Sequence, residues 1–233
     1  MKLERLKAWL VHIFTASGVI TVFMALIAAA ENDFRAAMLW LITAQLIDGV
    51  DGTLARRYKV QEVLPNVSGK SIDFVIDFCG YAVVPAFIIY QAPLMQEWID
   101  LFMALLIVFT SAIYYGRTGM ITDDFYFKGF PVMWNMAAFY FIFIFNFPAT
   151  LNAILIFLLA VMQFLPIKFA YPSMTTRWKP FTLMFTAILL VSMTGLLIYY
   201  PDYPGFLYWG PILSLVYFAF FGFAATFIHE EDF

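Results

Sequence analysis

Four aspartates, Asp48, Asp51, Asp73 and Asp77, stand on stretches that are otherwise membrane-like. Taking a carboxylate out of water is costly unless it is paired or coordinated, so acids in such surroundings are functional candidates. Their setting is regular. It reads Asp48-Gly49-Val50-Asp51-Gly52-Thr53-Leu54-Ala55-Arg56, then twelve residues, then Gly69, Asp73 and Asp77. On a helix, Asp48, Asp51 and Ala55 share one face, at spacings of three and four. Gly69, Asp73 and Asp77 share another. Two such helices side by side aim four carboxylates at one point. Hard oxygen ligands converging in this way suit one or two ions of Mg2+ or Mn2+.

The elements that position these residues are helices in a bilayer. The chain has 233 residues, 64% of them hydrophobic and only 12% charged. Soluble domains average about 25% charged residues, so this balance excludes one and fits an all-α polytopic membrane protein. Apolar runs predict about eight transmembrane helices, roughly 8–30, 37–56, 71–92, 97–115, 131–147, 149–166, 181–200 and 207–228. With no repeat or low-complexity linker, residues 1–233 read as a single domain. Of the 13 Lys and Arg, only Arg35 falls on the far side of that topology. The positive-inside rule then puts both termini and the aspartates in the cytoplasm. Ala28-Ala29-Ala30-Glu31 resembles a signal cleavage site, but the apolar run before it is long for a signal. The lone Cys79 excludes an intrachain disulfide and a cysteine zinc site, and reads as a small packing residue. Glu230, Glu231 and Asp232 read as a solvated tail.

The aspartate segment resembles the signature of the CDP-alcohol phosphotransferases, membrane enzymes that make phospholipids from a cytidine-diphosphate donor. The usual family spacing between Arg56 and Gly69 is shorter. The twelve residues here, Arg57 to Ser68, resemble the bacterial branch that condenses CDP-diacylglycerol with free choline to give phosphatidylcholine. The resemblance implies that Asp48, Asp51 and Asp73 are metal ligands. It implies that Asp77 both touches a second metal and takes the proton of the alcohol, with Asp73 and Asp77 the catalytic pair. It places Gly52, Ala55, Arg56 and Gly69 in the CDP-lipid pocket, and implies two Mn2+ or Mg2+ ions, a homodimer, and a multi-pass protein of the bacterial inner membrane whose active site faces the cytoplasm.

Other residues are open to two readings. Thr15 and Ser17 in the first span could bond the donor, or their own helix carbonyls. His12 reads slightly better as a packed residue than as a ligand. Arg57 and Lys59 could bind phosphates or simply snorkel. Choline carries a quaternary ammonium, which aromatic faces and a nearby carboxylate hold. Tyr126, Trp134, Asp123, Asp124, Tyr171 and Trp178 are candidates for that seat, and in a chain this aromatic each could equally be an interfacial ring. Serine, inositol phosphate or glycerol phosphate are rival acceptors, since Arg117, Arg177 and Lys179 could meet their charges. A cation-coupled transporter would also explain intramembrane acids, but not Gly52, Ala55, Arg56 and Gly69 at their spacings. No nucleic-acid partner is expected.

Overall fold

The structure, a computed structural model, describes residues 2–227. The acidic run Glu230 to Asp232 lies outside them. In chain order the helices are α1 (Lys2–Ala30), α2 (Phe34–Arg57), α3 (Val60–Val63), α4 (Gly69–Phe78), α5 (Val84–Gln91), α6 (Glu97–Tyr115), α7 (Trp134–Phe139), α8 (Ala149–Met162), α9 (Lys179–Tyr199) and α10 (Gly205–Phe227). A π-helical turn, Cys79–Val83, joins α4 to α5 without a break, and a second, Tyr140–Ile144, extends α7. Two short strands, β1 (Phe127–Lys128) and β2 (Lys168–Phe169), pair antiparallel.

The expectation of eight transmembrane helices is corrected to five. Among the described residues, only Lys2–Ala30, Gly69–Gln91, Glu97–Tyr115, Lys179–Tyr199 and Gly205–Phe227 are long and apolar enough to cross a membrane. The apolar runs at 131–147 and 149–166 are real, but their helices are too short. Trp134–Ile144 is preceded by Val132 at a φ of 58° and followed by a non-helical stretch. α8 has 14 residues, or about 21 Å at 1.5 Å per residue, against a hydrocarbon core of about 30 Å. α2 has the length, 24 residues, but carries Arg35, Asp48, Asp51, Arg56 and Arg57. With five such helices, the alternation that put both termini on one side no longer follows. The chain is nonetheless a multi-pass membrane protein. Large apolar side chains such as Phe109, Val191 and Phe206 stand exposed on its long helices, the surface that lipid covers.

The described chain forms two compact units. The first comprises Met1–Pro93 and Trp134–Phe139. Here α1 packs along α2, α3, α4 and α5. The contact faces of α1 and α2 bury Ala8, Gly18, Ala25, Ala29, Ala37 and Ala44, and small residues let helix backbones approach closely without a hydrophobic drive from water. Asp33 starts α2 by accepting a hydrogen bond from the Ala36 N–H at 2.9 Å. Beyond α2 the chain reverses through Lys59, at a φ of 49°. Val60 and Leu64 then pack on Ala8 and Val11 of α1. A turn over Pro65-Asn66 is closed by the Val67 N–H on the Leu64 carbonyl, 3.1 Å. The twelve-residue insert is therefore anchored to α1 through its own apolar side chains. Ser68 caps α4, accepting from the Ser71 N–H at 3.1 Å, an interaction worth about 1 kcal/mol.

The second unit comprises Leu94–Met133 and Tyr140–Phe233. In it α6 packs on α8, and α9 pairs with α10, which also supports β2. Gly129 has a φ of 83°, and a Cβ there would collide with the carbonyl of Gln163, so only glycine fits where β1 leaves its partner strand. The Asn152 side chain donates to the Leu94 carbonyl at 2.9 Å, and the Tyr140 hydroxyl to the Pro211 carbonyl at 2.8 Å.

Candidate active site and metal centre

Three of the four aspartates converge. Asp48 from α2 and Asp73 and Asp77 from α4 each bring one carboxylate oxygen within 4.8 Å of the others. Asp48 and Asp73 lie within hydrogen-bonding reach of one another. Carboxylates this close repel unless a proton or a cation lies between them. An all-oxygen acidic set of this kind fits a hard divalent ion.

Asp51 is not one of these three, but its charge lies close enough to act on Asp73 and Asp77. Three residues along an α-helix turn through about 300°, which leaves Asp51 about 60° round α2 from Asp48. Its side chain is buried and, with Thr15, faces a cleft beside the cluster.

That cleft has a volume of about 570 Å³, inside the range of small-ligand sites. Asp51 and Asp73 contribute its acids, and Arg56, Lys59 and Lys70 its cations. Gly52, Ala55 and Gly69 line it with almost no side chain, so a ligand can reach the backbone. Arg56 lies beside Gly52, where a Cβ would sit 3.5 Å from its Nη1, and donates to the Thr53 hydroxyl at 3.3 Å. Gly69 has a further reason to be glycine. A Cβ there would lie 3.1 Å from Cε1 of His12, so the missing side chain seats an imidazole from α1. His12 is buried, rests edge-on against Trp9 with ring centroids 6.0 Å apart, and its Nε2 has no hydrogen-bond partner. This histidine packs, and its ring also lines the cleft.

Thr15 and Ser17 separate. Thr15 lines the cleft with Asp51, whereas the Ser17 hydroxyl is spent on the Phe14 carbonyl of its own helix at 2.6 Å. Arg56 and Lys59 line the cleft. Lys59 also meets Glu62 at 3.7 Å in an exposed pair, which contributes little.

Tyr81 was absent from the sequence reading. Its hydroxyl donates to Asp48 Oδ2 at 2.8 Å, across 33 residues of chain. The signal was present in the spacing: Asp73, Asp77 and Tyr81 continue one series at intervals of four.

The residues suggested for choline divide between the units. Trp134, on α7 in the first unit, is fully buried and serves as packing. Asp123, Asp124, Tyr126, Tyr171 and Trp178 belong to the second unit. There the Lys168 ammonium pairs with Asp124 and lies 5.2 Å above the Tyr126 ring. Tyr171 stacks on Phe127 with centroids 4.6 Å apart, and Trp178 on Phe220 at 6.2 Å. Asp123 is exposed beside them.

Residues 9–217 match the CDP-alcohol phosphatidyltransferase family, and the chain belongs to it. The chain is 41% identical over 200 residues to a phosphatidylcholine synthase of Rhizobium meliloti, covering 85% of this chain and 83% of that protein. It is 42% identical over 183 residues to one from Agrobacterium fabrum, covering 78% and 76%. With one from Pseudomonas aeruginosa it shares 38% identity over 196 residues, covering 84% and 82%.

Proposed function

We propose that this chain is a phosphatidylcholine synthase, transferring the phosphatidyl group of CDP-diacylglycerol to choline and releasing CMP. The observation that carries the reading is the carboxylate cluster of Asp48, Asp73 and Asp77 beside a cleft that presents Arg56, Lys59 and Lys70. A pyrophosphate donor needs both features, cations for its oxygens and acids to hold divalent metal. Relatives that carry the phosphatidylcholine synthase name, at 38–42% identity over most of the chain, support choline as the acceptor.

The cytidine diphosphate lies against Gly52, Ala55 and Gly69, where the backbone is open, and Arg56 and Lys70 contact its phosphates. Thr15 lines the donor's cleft beside Asp51. Asp48, Asp51, Asp73 and Asp77 would hold two ions, Mn2+ or Mg2+, which would supply positive charge to offset that of the pyrophosphate and the leaving CMP. Asp77 accepts the proton of the choline hydroxyl as its oxygen bonds to the β-phosphorus of the donor. The bond from that phosphorus to CMP breaks, and CMP departs with the electron pair. Asp73 orients the cluster against the donor from the same helix face. Choline is a cation without a donatable proton on nitrogen, and Tyr126, Asp123, Asp124, Tyr171 and Trp178 of the second unit are aromatic and acidic groups of the kind that bind one. The enzyme works as a homodimer in a bacterial inner membrane, with its cleft open to the cytoplasm, where the donor's CTP precursor is found.

The test is an acceptor screen. Purified protein with CDP-diacylglycerol and Mn2+ is offered labelled choline, serine, inositol phosphate and glycerol phosphate, and CMP release is followed with the lipid product. Phosphatidylcholine alone is expected. Product from another alcohol with none from choline would overturn the acceptor while leaving the family chemistry. No CMP with any alcohol would overturn the reaction.

A further inference from the structure

The helix that supplies Asp73 and Asp77 changes its winding just beyond them. In Cys79–Val83 the turn widens to a π-helix, closed by the Val84 N–H on the Cys79 carbonyl, five residues back. Four residues of α-helix overshoot a full turn by about 40°, so an uninterrupted helix would carry position 81 about 80° away from position 73. A wider turn needs more residues to close. Four residues that include it therefore rotate less, and Tyr81 comes back toward the Asp73 and Asp77 face. Gly80 makes room for this bulge against α1: a Cβ there would lie 3.2 Å from Val22 Cγ2.

The result is a tyrosine hydroxyl at 2.8 Å from Asp48 Oδ2, the one member of the carboxylate cluster that comes from α2. A carboxylate with one oxygen tied cannot rotate freely. The geometry assigns Tyr81 as a positioning residue for the divalent cation: it fixes Asp48 in the rotamer that turns its remaining acceptor capacity toward Asp73 and Asp77. Partners of metal-ligating side chains act in this way, and losing one typically weakens metal binding by about 10- to 100-fold. The role also couples the two helices, because the hydroxyl from the α4–α5 rod reaches a ligand on α2. It rests on the reading of Asp48, Asp73 and Asp77 as metal ligands.

Tyr81→Phe removes only the hydroxyl. Mn2+ binding to detergent-purified protein, read by the spectroscopic signal of free Mn2+, is compared for the wild type, Tyr81→Phe and Asp73→Asn. The expected result is a Kd for Mn2+ raised at least about tenfold in Tyr81→Phe. In the assay the KM for Mn2+ rises more than kcat falls, while the KM for CDP-diacylglycerol is unchanged and the melting curve without metal matches the wild type. Wild-type affinity for Mn2+ in Tyr81→Phe overturns the assignment. So does a lowered melting temperature without metal at unchanged Mn2+ affinity, which would make the hydroxyl a structural brace. A wild type that binds no Mn2+ overturns the metal reading itself, and is distinguished from both by its own titration.

Discussion

The acids of the two compact units have opposite surroundings. In the first, Asp48, Asp73 and Asp77 face one another, and no ion pair joins them to Lys or Arg among the described residues. In the second, Asp124 has its cation built in: Lys168 pairs with it and rests on the Tyr126 ring. Partial burial works against the charge of Asp124, yet the hydrogen bonds from Lys168 and Thr122 outweigh it and hold its carboxyl below the ordinary range. Like charges left facing each other mark a place completed by something from outside the chain. An acid and a ring that already hold a lysine are satisfied within the chain.

The largest expected effect breaks the first arrangement. Asp48→Asn or Asp73→Asn removes a carboxylate from the cluster, and turnover should fall by more than about 100-fold, since losing even a ligand's neighbour costs up to that much. Asp124→Asn, in the second unit, should leave kcat within about threefold and raise only the KM for choline, by the few-fold that one charged contact supplies. CMP release under saturating donor measures all three. Comparable losses at Asp73 and Asp124 would erase the distinction between the units.

An intermediate effect comes from Gly69→Ala. The added methyl falls 3.1 Å from His12 Cε1, so the imidazole must shift, and with it one wall of the cleft. The KM for CDP-diacylglycerol should rise about tenfold, and Gly69→Ala combined with His12→Ala should lose less than the sum of the two changes, because they share one contact. Additive losses would mean that Gly69 serves the ligand alone.

The first unit was largely legible before its structure was known, and the second was not. Asp73 and Asp77 share a helix face by spacing alone, and Gly52, Ala55 and Gly69 announce an open backbone by carrying at most a methyl group. What spacing left out were contacts made across the chain. Tyr81 meets Asp48 only because a π-helical turn restores its direction, and His12 meets Gly69 only through the packing of α1 on α4. Asp51, one face with Asp48 at a spacing of three, turns about 60° round the helix from it and lines the cleft. The count of eight spans failed because the length of an apolar run was taken for the length of a helix, and α8 runs out after 14 residues. In the second unit the aromatic loop was visible as composition. Its internal cation was not, because Lys168 lies 44 residues from Asp124 and is brought there by the β1–β2 pairing.

The smallest expected effect sharpens the comparison most. Lys168→Met keeps an unbranched apolar stem of similar length and removes the ammonium. The Tyr126 face and the Asp124 carboxylate are then left without their cation, while the backbone pairing of Lys168 across from Lys128 is untouched. If this group seats choline, Lys168 has been competing with it, and the KM for choline should fall. A cation–π contact at an exposed site is worth about 0.5–1 kcal/mol, so the drop should lie between about twofold and fivefold, with no change in the KM for CDP-diacylglycerol. Adding Tyr126→Leu to Lys168→Met should reverse the gain, because the ring face that choline would take is gone. A choline KM that does not move in Lys168→Met would remove Tyr126 and Asp124 from the acceptor site. The lysine, the acid and the ring would then be a brace for the β1–β2 ribbon, and choline would have to be held by other rings of the chain.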